Sequence, residues 1–229
     1  MKKAKDLLTV SLYIIVAALA CSIWFIYYFN NKLGPGLMEC AENEIERLTI
    51  IVMNNCINKY LKENDYINIL KITRNSNDEI ELIEYDTKAV NQITNNIADM
   101  LEQDLNYMVR GEFDKLNLSN VSSAYYDEVN EGILFSISIG SATGNTLLAN
   151  IGPKIPLNLS VAENVQASVN TKVTEYGMNN AMVEVFVNLT ATTVIHMPLL
   201  SKKIKVENNI PLNMQIINGN LPSYYLNNN

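Results

Sequence analysis

Residues 182–195 read Met-Val-Glu-Val-Phe-Val-Asn-Leu-Thr-Ala-Thr-Thr-Val-Ile. Val183, Val185, Val187, Leu189, Ala191, Thr193 and Ile195 fall on one face of an extended chain. Met182, Glu184, Phe186, Asn188, Thr190, Thr192 and Val194 fall on the other. An apolar period of two, rich in β-branched residues, predicts a strand that buries its first face. Fourteen residues at about 3.3 Å each give roughly 46 Å, far beyond the usual strand of about five or six residues. So long a strand must twist and curve to close on a core. It needs partner strands of similar length and an apolar layer to cover its buried face.

The neighbouring segments supply both. Ile133, Phe135, Ile137 and Ile139 alternate with Leu134, Ser136 and Ser138. Residues 157–161 and 165–173 alternate in the same way and read as two further strands. Towards the N-terminus, residues 38–64 repeat apolar positions at helical spacing: Ile45, Leu48, Val52 and Cys56, with Ile50, Met53, Ile57 and Leu61 beside them. Tyr66–Thr73 and Glu79–Tyr85 alternate across the turn formers Asn75-Ser76-Asn77-Asp78, the pattern of a β-hairpin. A second helix follows, capped by Asp86 or Thr87 and ending near Met108, with Ile93, Ile97, Leu101 and Leu105 on one face. Arg110–Glu131 is polar and reads as an irregular loop. The expected fold class is α+β: two helices packed on one face of a long, curved antiparallel β-sheet.

A different pattern precedes this domain. Leu7–Phe29 carries no charge over 23 residues, and at about 1.5 Å per residue it spans roughly 34 Å, enough for a bilayer core of about 30 Å. Trp24, Phe25, Tyr27, Tyr28 and Phe29 crowd its far end, where such rings suit the lipid–water interface. A cleaved leader has a shorter apolar region and a small-residue cleavage site. Ala18-Leu19-Ala20-Cys21 matches a lipobox poorly, and the apolar run continues past it. An uncleaved transmembrane anchor is the reading that fits. Lys2, Lys3 and Lys5 before the span place residues 1–6 in the cytoplasm by the positive-inside bias, and the C-terminal part outside it. Residues 30–37, with Gly34-Pro35-Gly36, are expected to break the helix as a linker, and residues 38–229 form one extracytoplasmic domain. Of 17 basic and 24 acidic residues, four and one lie at or before Lys32, so 13 face 23 in the rest. An acidic domain is a poor nucleic-acid binder, and its charge serves solubility. Cys40 and Cys56 lie about 24 Å apart along one helix and cannot pair, which leaves a free thiol or an intermolecular bond at Cys40.

Short motifs punctuate the β-rich part. They are Gly140-Ser141-Ala142-Thr143-Gly144, Gly152-Pro153-Lys154-Ile155-Pro156-Leu157, Tyr176-Gly177-Met178-Asn179-Asn180, and Ile216-Ile217-Asn218-Gly219-Asn220-Leu221-Pro222-Ser223-Tyr224. Gly140, Gly144, Gly152, Pro153, Gly177, Asn179, Gly219 and Pro222 read first as turn and strand-end residues, and second as contact positions. In their order, behind an N-terminal span, these motifs make the chain from about residue 38 onward resemble the YunB family of sporulation proteins. The resemblance implies a membrane protein of endospore formers, made in the mother cell and needed for spore formation. It implies partners among the proteins of the spore envelope and no enzymatic activity.

The residues themselves offer no catalytic constellation. His196 is the one histidine, which argues against a metal cluster and against a Ser–His–acid triad. Gly140–Gly144 is followed by no Lys-Ser/Thr pair, so it is not a nucleotide loop. Asp127, Glu128 and Glu131 sit in a polar loop as solvated acids. The expectation is no enzyme, no cofactor and no metal. The alternative to an assembly role is a carrier or sensor of an apolar ligand such as a lipid. That alternative rests on Met182, Phe186 and Val194, which interrupt the polar face of the long strand.

Overall fold

The computed structural model describes residues 2–64, 69–76, 80–116, 135–175, 177, 180–198 and 200–218. Helix α1 spans Lys2–Tyr28, a π-helical turn covers Phe29–Leu33, and helix α2 spans Gly34–Glu63. The break expected at residues 30–37 is therefore a change of helical pitch, not an end of the helix. The physical reason is local. Pro35 lies just past the π turn, and the wider turn before it accommodates the missing N–H and the proline ring without ending the helix. The Gly34 N–H reaches five residues back to the Phe29 carbonyl, which closes the π turn. The apolar, solvent-facing α1 thus continues into α2 without a flexible joint.

α2 buries the stripe foreseen for it and begins four residues earlier, with Leu37, Ala41, Ile45, Leu48, Val52, Cys56 and Tyr60 along it. Strands β1 (Leu70–Arg74) and β2 (Ile80–Tyr85) pair antiparallel as the predicted hairpin. Residues 66–68 and 77–79 of that reading lie outside the described residues. Helix α3 (Thr87–Val109) starts at Asp86, whose Oδ1 accepts the Ala89 N–H at 2.9 Å, and buries Ile93, Ile97, Leu101, Leu105 and Met108. The polar loop after it opens with a 3-10 turn, Phe113–Leu116. Its Phe113 and Leu116 are buried in the core, and the Leu116 carbonyl accepts Asn55 Nδ2–H at 2.7 Å. This much of the predicted loop is thus a core plug; residues 117–134 lie outside the described residues.

The main sheet has four antiparallel strands in the order β3 (Phe135–Ser138), β4 (Lys154–Glu175), β5 (Asn180–Met197) and β6 (Leu200–Asn218). The two strands expected at 157–161 and 165–173 are one strand of 22 residues. Between Val161 and Val165 its register shifts: Val161 faces Thr193 while Val165 faces Ala191, so two residues of β4 bulge out. β5 runs 18 residues, and Val183, Val185, Val187, Leu189, Ala191, Thr193 and Ile195 are all buried. Most of them join Ile45, Leu48 and Val52 of α2 and Ile97, Leu101 and Leu105 of α3 in a single core. Both helices lie on this face.

Chain direction sets the two ends of the domain. β6 leaves alongside α2: Leu200 lies against Gly34, Lys202 Nζ pairs with Glu42 at 2.5 Å, and Asn208 Nδ2 donates to Asn54 Oδ1 at 3.1 Å. β5 therefore runs back towards α1 and β4 away from it. The segment before β4 and the β5–β6 turn lie at the α1 end, and the β4–β5 hairpin lies at the far end.

Candidate functional site

Four of the eight motif residues meet at the α1 end. Gly140 sits in a 3-10 turn, Ile139–Thr143, that ends β3. Its N–H donates to the Ile151 carbonyl at 2.9 Å, and the Ile139 N–H donates to the Pro153 carbonyl at 3.1 Å. A Cβ on Gly140 would stand 1.7 Å from the Leu148 carbonyl oxygen and 2.6 Å from that of Ile151. Only glycine admits this crossing of two backbones. Gly144 and Gly152 have φ of +67° and +101°, in the left-handed region that favours glycine. Pro153 then leads into β4. The four residues thus close residues 139–153 into one compact loop.

Three of its polar side chains bind the loop's own backbone. Ser141 Oγ donates to the Ala149 carbonyl at 2.8 Å, and Thr143 Oγ1 donates to that of Gly140 at 2.7 Å. Asn145 Oδ1 accepts the Leu147 N–H at 3.0 Å. The apolar side chains of Leu147, Leu148 and Ile151 face solvent instead, 84%, 40% and 59% exposed. The Leu-Leu pair in a loop of Gly, Asn, Ser and Thr is visible in the sequence, although the reading by alternation and turns passed over it.

The loop is held to the helical stem. A Cβ on Gly36 would come within 2.5 Å of the Ala142 carbonyl oxygen, so the first turn of α2 and the 3-10 turn touch backbone to backbone. Cys40 Sγ–H donates to the Ser141 carbonyl at 3.6 Å. Gly34-Pro35-Gly36 and Gly140–Gly144, separate in sequence, are therefore two sides of one contact. Gly177 does not belong to it. It turns the β4–β5 hairpin with φ of +67°, roughly 70 Å of strand away. Asn179, Gly219 and Pro222 lie outside the described residues.

The chemistry elsewhere is structural. His196 is exposed, with Nε2 3.0 Å from Ser160 Oγ and Nδ1 3.1 Å from Ser201 Oγ. It ties β4, β5 and β6 together at the α1 end. Among the described residues, no group of three or more His, Cys, Asp and Glu side chains could hold a metal ion. Cys21, Cys40 and Cys56 are free thiols. Burial pushes the Cys56 thiol up to about 12, with the Asp104 charge adding to the effect. Asp104 is itself buried between α3 and α2, and its Oδ2 has no hydrogen-bond partner among the described residues. Burial raises its carboxyl above the ordinary value, against a smaller opposite pull from Lys59. A surface depression of about 370 Å³ on the outer side of α3 is lined by Asp99, Glu102, Gln103, Asn106, Tyr107 and Arg110. It is polar and lies away from the sheet.

Comparison with known proteins bears out the resemblance. A family model described as Sporulation protein YunB matches residues 134–224, which include the glycine loop, β4, β5 and β6. The Sporulation protein YunB of Bacillus subtilis (strain 168) is 26% identical over 205 residues, covering 89% of this chain and 75% of that protein. No solved structure matches the chain.

Proposed function

We propose, from this likeness to YunB, that the chain acts in sporulation as a single-pass membrane protein. Its domain assembles or recruits other components of the spore envelope rather than catalysing a reaction. The single observation that carries the reading is the match to a sporulation protein over nearly the whole chain. The apolar α1 supports the anchor. Lys2, Lys3 and Lys5 support a cytoplasmic N-terminus. In a sporulating cell, a protein made in the mother cell with this topology would sit in the outer forespore membrane. Its domain would then face the space between the two membranes.

The apolar-ligand alternative finds no support among the described residues. Where a carrier would hold its ligand, between sheet and helices, their side chains pack as one core.

Deleting the gene in its host tests the assignment. The yield of heat-resistant spores should fall while vegetative growth is unchanged; an unchanged spore yield would remove the role in sporulation. Protease added to protoplasts tests the topology, and should degrade the domain and leave a short membrane-embedded fragment.

A further inference from the structure

We propose that the tip of the 139–153 loop, Leu147, Leu148 and Ile151, dips into the surface of the membrane in which α1 is anchored. The domain would then stand on the bilayer at two points. The inference rests on the reading of α1 as a membrane span.

Three observations carry it. The first is the apolar area that the loop exposes. Ser141, Thr143 and Asn145 spend their polar groups on loop backbone, and the apolar side chains point out. In water this arrangement exposes apolar area with no return; at a lipid surface the same side chains leave water.

The second observation is height above the membrane. Phe29, the last residue of the apolar run, is half-buried and already packs against the domain core. The 3-10 turn of the loop contacts the π turn at Phe29–Leu33. No flexible linker lifts the domain, because the helix is continuous from α1 through α2. The base of the domain therefore begins about one to two helical turns beyond Trp24, Tyr27 and Tyr28, which are exposed on α1 where a span meets the interface. Apolar side chains projecting from that base would reach the headgroup–acyl boundary, where interfacial segments bury to a depth of about 5–10 Å.

The third is charge. Lys32 and Lys154, both exposed, flank the stem and the loop at this end, although the domain as a whole is acidic. Cations at the base suit anionic headgroups. The occupant of the apolar tip is thus the bilayer itself, and a protein partner seated there is the competing outcome.

Tryptophan fluorescence of the full chain in vesicles separates them. The vesicles combine phosphatidylcholine and phosphatidylglycerol, with or without brominated acyl chains that quench indoles in contact with them. Trp24 is the one native tryptophan, so the wild-type chain reports on the span. In a Trp24→Phe background, Leu147→Trp and Ile151→Trp report on the loop, and Lys172→Trp reports on an exposed site near the far end of β4. These three positions are exposed, so the substitutions leave the core intact. Bromolipid should quench the Leu147→Trp or Ile151→Trp indole and shift its emission to the blue, while Lys172→Trp is unaffected. If both loop indoles behave like Lys172→Trp while wild-type Trp24 is quenched, the loop does not touch lipid and the proposal falls alone. If Trp24 escapes quenching, the anchor falls and the loop proposal with it.

Discussion

A single methyl group distinguishes the glycines of the α1-end loop. At Gly140 an added Cβ would stand 1.7 Å from a backbone oxygen, which nothing short of reopening the loop relieves. Gly140→Ala should lower stability by about 3 kcal/mol or more, the upper range for forcing extra volume into a packed site. At Gly144 the Cβ meets open space, and the penalty is only that of a left-handed backbone, about 1–2 kcal/mol. Thermal unfolding in detergent should rank the two variants in that order; equal losses would mean that the close crossing is not what fixes Gly140. Asp104 gives a prediction with the opposite sign. Its folded carboxyl titrates above the ordinary value of 3.8, so folding favours the protonated form. The native state binds more protons than the unfolded one in this window, and stability falls as pH rises through the raised value. Asp104→Asn should therefore stabilise the protein at neutral pH, the relief of burying a charge outweighing the lost attraction to Lys59. The advantage should vanish on acidification below pH 3.8. Unfolding midpoints of both proteins across pH decide this, and parallel curves would refute it. Glycines and acids were legible in the sequence as residue types, but their roles were not. A turn residue and a close-packing residue look alike until the opposing backbone, here residues 148–151, is placed.

The elements divide by how much tertiary contact each needs. β5 was legible because its alternation is its burial: every odd residue from Val183 to Ile195 is inside. α2 and α3 were legible for the same reason at the helical period, down to the Asp86 cap. β6 was not singled out. It is an edge strand whose Lys202, Lys203, Lys205 and Glu207 face water, and Pro211 interrupts its run of donors, which an edge tolerates. The single β4 was read as two strands, because the bulge between Val161 and Val165 interrupts the alternation locally without ending the strand. These differences give a contrast on neighbouring strands. Leu189→Ala in β5 empties a fully buried site and should cost about 2–5 kcal/mol. Val173→Ala in β4, at a position 63% exposed, should cost a few tenths of a kcal/mol, as surface changes usually do. Denaturant midpoints would expose an error if the two losses were similar.

At the scale of the whole molecule, the π turn decides how the domain is carried. Asn30, Asn31, Gly34, Pro35 and Gly36 are helix breakers by composition, and a reading of composition alone puts a linker there. Three contacts made only in the folded chain overrule it: Phe29 against the core, Gly34 against Leu200, and Gly36 against Ala142. Each holds the stem to a part of the domain distant in sequence. A tether would let the domain swing on the membrane and average over its orientations. A helix clamped on two sides fixes the domain relative to α1, with the glycine loop at the α1 end and the β4–β5 hairpin about 20 strand residues further out. This difference is measurable as amide exchange. If the stem is rigid, the amides of residues 30–34 and 36 should be protected in detergent to the level of the α2 interior, because opening them requires breaking the Gly36–Ala142 contact. Exposed loop amides such as that of Thr146 should exchange far faster. Replacing Gly36 with Leu, whose side chain cannot fit against the Ala142 backbone, should strip that protection while α2 beyond Ala41 keeps its own. Stem amides that exchange at loop rates in the unaltered protein would show that the helix breaks there after all. The domain would then hang from a flexible joint, and no fixed face of it would be held towards the membrane.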